Sequence, residues 1–149
     1  MSDENEPVKK TKVQQTEEKW KLLIEEAEID CEPVSVKNIN KILGTTALVC
    51  KWMRYKTEWE SVHELYEMKR KKRFNDLWKF YKVESNLKIN TKEELLNFIE
   101  TDAGYTELFL VSNTIARAID YIDGIIDALK AKNYEISRFI DWYKFQHGR

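Results

Sequence analysis

Two ladders of apolar residues constrain the fold more than anything else in this chain. Leu48, Trp52, Tyr55, Trp59, Val62 and Tyr66 recur at steps of four and three. Leu108, Ser112, Ile115, Ile119, Ile122, Ile126 and Leu129 do the same, with Ala116, Ala118, Gly124 and Ala128 as small neighbours. That spacing is the rhythm of helices packed along their length against other helices. Only 4 Gly and 2 Pro interrupt 149 residues, so the chain is expected to be all-α. At 42% hydrophobic content it holds enough apolar material for the core of one domain.

The first ladder runs into an obstacle. Its next seam positions are Lys69 and Arg73, inside the unbroken basic block Lys69, Arg70, Lys71, Lys72 and Arg73. Five consecutive bases cover the whole circumference of a helix, and an unpaired buried ammonium is too costly to keep. Part of this turn must therefore meet water or an anion. An apolar stripe resumes at Phe74, Leu77 and Tyr81, while Lys71, Asn75, Trp78 and Lys82 share a neighbouring face. Cations for phosphates and a ring for an unstacked base suit single-stranded nucleic acid. Lys69, Arg70, Lys71, Lys72, Arg73, Trp78, Lys79 and Lys82 are the candidate DNA-binding residues. The same residues also suit a solvated charged face with Trp78 packed on a partner helix.

Net charge is −1, so the chain is not a uniformly basic nucleic-acid coat. The charge is segregated instead: residues 51–82 carry net +5, between flanks of net −3 each.

The remaining punctuation predicts a single helical domain at 16–149 after a disordered tail at 1–15. Thr16 is expected to cap a first helix carrying Trp20, Leu23, Ile24 and Ala27, which Pro33 ends. A long basic helix is expected over 36–82 and a loop over 83–90. Thr91 with Glu94 matches a capping box for a short helix. Gly104 marks a turn, and a C-terminal helical region follows at 105–149, broken where Asn133 takes a left-handed position. The last helix is expected from Tyr134 to about Gln146. Ile136, Phe139, Ile140 and Tyr143 form its stripe, with Trp142 and Phe145 outside it. Apolar residues on more than one face place this helix in an oligomer interface, with Ile136, Phe139, Ile140, Trp142 and Tyr143 as its contacts. The architecture expected is thus a long helix plus shorter helices in an elongated bundle.

Little chemistry is encoded. The two histidines, His63 and His147, sit far apart, and no cluster has metal-ligand spacing, so neither metal nor cofactor is expected. No glycine-rich phosphate loop is present. Asp120, Asp123 and Asp127 share a helix face but have no second group to complete a catalytic site. Cys31 and Cys50 do not make a disulfide framework. The polar start MSDENEP carries no secretory signal, and no stretch reaches membrane-span length. The chain reads as a soluble, intracellular, non-enzymatic protein.

From about Asn38 onward, the chain resembles the UvsY family of recombination mediators of T-even-like bacteriophages. The likeness lies in Cys50-Lys51-Trp52-Met53 and in the basic run leading to Phe80-Tyr81. It continues in the long apolar helix closing in Asp127-Ala128-Leu129-Lys130, and in the last helix from Ile136 to Gly148. The resemblance implies a protein of the host cytoplasm that binds single-stranded DNA and forms a ring-like homo-oligomer, hexamer or heptamer, through its C-terminal region. It also implies two partners, a UvsX-like phage recombinase and the phage single-stranded-DNA-binding protein, which the mediator helps the recombinase replace. In one respect the chain departs from the family. Basic positions that members use just before the aromatic pair fall here on Asn75 and Leu77, and the charge has moved to the 69–73 block and Lys79. A helical adaptor whose basic turn binds an acidic protein or RNA is the alternative.

Overall fold

The computed structural model describes residues 9–37 and 44–148. They form four α-helices: α1 (Lys12–Asp30), α2 (Thr45–Lys79), α3 (Lys92–Glu100) and α4 (Ala103–Gln146). No strand occurs among the described residues. A π-helical turn, Phe80–Glu84, extends α2.

The two ladders pack against each other. α2 and α4 run antiparallel, as their cross-links show: Lys56 pairs with Asp123, Glu67 with Ser112, and Arg73 with Asp102. Trp52 is the largest fully buried side chain, in a core with Ala27, Ile122, Ile125, Ile126 and Leu129. Tyr55 meets its ring edge-on, at 5.3 Å between centroids. The expected seam of α4 holds at Ser112, Ile115, Ile122, Ile126 and Leu129. Val111, Ala118 and Ile125 are also buried, whereas Leu108 and Ile119 are half-buried.

α1 lies alongside α2, antiparallel to it, and is held at its C-terminal end. The Asp30 carboxylate accepts from Trp52 Nε1 at 2.9 Å and from Lys51 Nζ at 2.7 Å. Lys51 also reaches Glu26, and the buried Lys132 donates to the Asp30 carbonyl oxygen at 3.3 Å. These bonds satisfy a buried indole N–H and a buried ammonium that would otherwise oppose folding. A second, smaller core (Leu77, Leu95, Ile99) fastens α3 beneath the end of α2.

Several expected boundaries shift. α1 begins at Lys12, inside the stretch expected to be tail, because Thr11 rather than Thr16 is the cap. The Thr11 hydroxyl accepts from Gln14 N, and the Gln14 side chain accepts from Thr11 N, a complete capping box. The Thr16 hydroxyl instead donates back to the Lys12 carbonyl within the helix. Residues 1–8 lie outside the described residues. The long helix begins at Thr45, after Gly44, not at 36; Val36 and Lys37 form a turn, and 38–43 lie outside the described residues. Its far end runs on to Glu84, so the connection to α3 starts at Ser85.

Gly104 sits in the first turn of α4 rather than in a turn between helices, and Asn133 is in the interior of that helix. The expected fourth and last helices are therefore one helix of 44 residues, about 66 Å long. A single Asn costs only tenths of a kcal/mol inside a long helix, which does not end it. The left-handed residue lies beyond the helix, at Gly148.

Prediction: Trp52→Ala should cost about 3–5 kcal/mol, as expected for a large buried aromatic. Val62→Ala, in the same ladder but 43% exposed, should stay within about 0.5 kcal/mol of wild type. Urea unfolding at one fixed protein concentration compares them.

Candidate nucleic-acid interface

The basic block falls where α2 must still pack on α4, and the structure divides it by residue. Two arginines turn toward α4, Arg70 half-buried in the seam and Arg73 at its exposed edge. Arg70 is half-buried; its Nη2 donates to Glu67 Oε2 at 2.7 Å and its guanidinium lies over the Phe109 ring, 5.7 Å from the centroid. The other oxygen of Glu67 accepts from the buried Ser112 hydroxyl at 2.5 Å, so one carboxylate ties the arginine to α4. That bond, followed by the Arg70 contact, holds the Glu67 carboxyl below its ordinary range. Glu67 in turn holds the Arg70 guanidinium above its own.

Arg73 donates through Nη2 to both oxygens of Asp102, at 2.7 and 2.8 Å. Asp102 precedes the first residue of α4, and its side chain is only 9% exposed. Gly104 makes room for the pair. A Cβ there would lie 3.3 Å from Arg73 Nε, so a bare backbone lets the guanidinium cross the first turn of α4.

The lysines point outward. Lys69, Lys71, Lys72, Lys79 and Lys82 are exposed, and none has an ion-pair partner among the described residues. Lys69 rests over the Tyr66 ring at 5.1 Å. The expected seam position at 69 is thus taken by Arg70. A heptad repeat drifts about 20° per seven residues on a straight helix. After Leu48–Tyr66 the drift carries position 69 off the seam and position 70 onto it.

Trp78 is half-buried against the second core, at 6.1 Å from Phe74 with the rings 27° apart. One turn further, the Lys82 ammonium lies over the Trp78 ring at 5.3 Å. A cleft of about 500 Å³ opens beside it, lined in part by Trp78, Tyr81, Lys82, Ile89 and Lys92. A second cleft of about 310 Å³ lies on the same side of α2, formed by Arg70, Lys71, Phe74, Asn75 and Tyr105. Lys92, Tyr105 and Ile89 were not legible as site residues, because the fold brings them in from α3, α4 and the connection.

The described helices therefore present a row of free lysines, interleaved with half-open aromatics, on a rigid helical hairpin. The model of the family described as "Recombination, repair and ssDNA binding protein UvsY" matches residues 20–149. The chain belongs to the UvsY family. The match begins within α1, ahead of the Asn38 start of the resemblance read from sequence.

Two crystal structures of the bacteriophage T4 recombination mediator protein UvsY share the fold. Lattice type IV aligns with a TM-score of 0.76 at 17% identity, covering 85% of this chain and 98% of the other. Lattice type II aligns with a TM-score of 0.76 at 18% identity, covering 85% and 96%. No curated protein matches the chain.

Asp123 pairs with Lys56 at 2.7 Å, while Asp120 and Asp127 face solvent. No group of three or more His, Cys, Asp or Glu side chains converges among the described residues. No described helix is long and apolar enough to cross a membrane. Ile136 and Phe139 are half-buried, and Ile140, Trp142 and Tyr143 are exposed.

Prediction: the depressed Glu67 pKa stabilises the fold at neutral pH. That contribution is present above the ordinary carboxyl value of 4.5 and is lost as pH falls through the lower folded value. Glu67→Gln should therefore be less stable than wild type at pH 7, with the gap closing as both are titrated into acid. Urea midpoints against pH measure it, and a gap that widened in acid would contradict the pairing.

Proposed function

We propose that this protein is a single-stranded-DNA-binding recombination mediator, and that the exposed lysines Lys69, Lys71, Lys72, Lys79 and Lys82 carry the strand. The observation behind the assignment is the division of the basic block. The charges that folding requires are arginines with carboxylate partners, and the unpaired charges are lysines on one stretch of helix. A phosphate backbone meets compact, mobile cations there without competing for a structural ion pair. Within the expected set, Arg70 and Arg73 act as supports for this face rather than as strand contacts. Trp78 supplies the ring.

The mediator helps a phage recombinase replace the single-stranded-DNA-binding protein on the strand, and it works as a homo-oligomer. One protomer offers few cations, so repetition of the patch supplies avidity without new contacts. The distal end of α4 is suited to that assembly. Beyond Lys132 none of its residues is buried, and Trp142 and Phe145 are 53% and 84% exposed. Phe139 and Trp142 lie 5.9 Å apart there. Exposed aromatics grouped on an overhanging helix mark an interface. Ile136, Phe139, Ile140, Trp142 and Tyr143 are its proposed contacts.

Prediction: replacing Lys69, Lys71 and Lys72 with alanine should leave helical content intact and lower the salt slope of oligonucleotide binding by about 0.7 per lost phosphate contact. Arg73→Ala should lower stability and leave the slope near wild type. Removing residues 133–149 should reduce the assembly mass in sedimentation and weaken strand binding, although no basic-block residue is touched. A triple variant with an unchanged slope would overturn the assignment.

A further inference from the structure

The cleft beside Trp78 has a composition that the lysine row alone does not explain. Its lining includes the apolar and aromatic side chains of Trp78, Tyr81, Ile89 and the buried Leu95, beside the polar Asn90 and Thr91. Its rim carries two exposed ammonium groups from different elements, Lys82 at the π turn and Lys92 on α3. The cleft lies at the start of α3, where Thr91 and Glu94 cap the helix. Thr91 Oγ1 accepts from Glu94 N, and Glu94 Oε2 accepts from Asn90 N. Lys82 and Lys92 are the full positive charges that line this cleft.

At about 500 Å³ the cleft is within the range of small-molecule sites, about 300–1,000 Å³. Phe74 stacks on Trp78 from one turn before it, and Lys82 covers the indole from one turn after it. A planar base displacing the Lys82 ammonium would extend a stack already begun by Phe74. The freed ammonium would remain at the rim, within reach of a neighbouring phosphate. The π turn assists by redirecting the chain after Lys79, so that Ser85 N bonds to Phe80 O and the connection folds back toward α3. That return brings Ile89 and Lys92 into the lining of the same cleft as Trp78.

We propose that this cleft is a base-stacking subsite: one unpaired base of the bound strand stacks on Trp78 against Ile89, and Lys82 and Lys92 hold its flanking phosphates. The proposal rests on the single-strand reading above and adds to it a residue on a second helix, Lys92, together with a preference for bases over bare backbone. The smaller cleft, at Lys71, Phe74, Asn75 and Tyr105, continues along the same side of α2 and sets the direction of the strand parallel to the helix.

The test compares oligo(dT) with an abasic strand of equal length, titrated into the full chain at several salt concentrations. Wild type should prefer oligo(dT) by about fivefold or more, the gain expected from one stacked base. Trp78→Leu keeps an apolar side chain toward the core and should bring that ratio close to one. Lys92→Ala, an exposed change that leaves the fold intact, should weaken both strands, lower the salt slope by about 0.7 and keep the ratio. A Trp78→Leu protein, folded by circular dichroism, with a wild-type ratio overturns the stacking site. So does a Lys92→Ala protein with an unchanged slope, in which case the lysine row alone binds the strand. If wild type binds neither strand in a salt-sensitive way, as an adaptor for an acidic peptide would behave, both the single-strand reading and this subsite fall.

Discussion

The antiparallel seam between α2 and α4 is the constraint on which the rest of the molecule depends. At one end it is apolar and closes over Trp52. At the other it must pass through five consecutive basic residues. A helix cannot turn five charges away from a neighbour on which it packs, so those facing the seam need partners. Glu67 and Asp102 meet the two arginines there, and Gly104 gives Arg73 its space. Arginine suits this place, because its planar fork can donate to both oxygens of one carboxylate. The lysines are left outside. The seam thus sorts the basic block into a structural part and a free part.

That sorting connects folding to the proposed activity. The free lysines sit on a helix braced by α4 along its length and by α3 beneath its end, so the charged row is presented without further ordering. Pre-organisation lowers what binding must spend on immobilising the surface. The aromatic rings along the row belong to the second core on one side and to open clefts on the other. Phe74 and Trp78 can serve both roles, because a ring has area enough to pack at one edge and remain open at the other. The acidic flanks of the sequence keep the field local to this end of the hairpin.

Much of this was legible in the sequence where one physical signal dominated. The two ladders located the two long packed helices, with Trp52 on one seam and most of the α4 seam, because apolar periodicity over several turns outweighs local propensity. The basic block and Trp78 were visible as a constellation. Boundaries decided by a single hydrogen bond were harder to read. Thr11 and Thr16 are both plausible caps, and only the reciprocal bond with Gln14 decides between them. Asn133 invites a break that the helix simply runs through. The roles of Arg70, Arg73 and Lys69 could not be separated at all, since helical drift and partners on α4 decide which side chains face inward. Lys92 reaches the Trp78 cleft through the π turn and the connection that follows it, which no local pattern announces.

The central claim is that the lysines of this row, and not the basic residues as a whole, meet the strand. Lysine acetylation followed by mass spectrometry, with and without saturating oligo(dT), reads each ammonium separately in the unmutated protein. Lys69, Lys71, Lys72, Lys79 and Lys82 should be slowed severalfold by the oligonucleotide, while Lys19, Lys21 and Lys130, on α1 and α4, should react at unchanged rates. Equal slowing at every lysine, or protection confined to α1 and α4, would contradict the account.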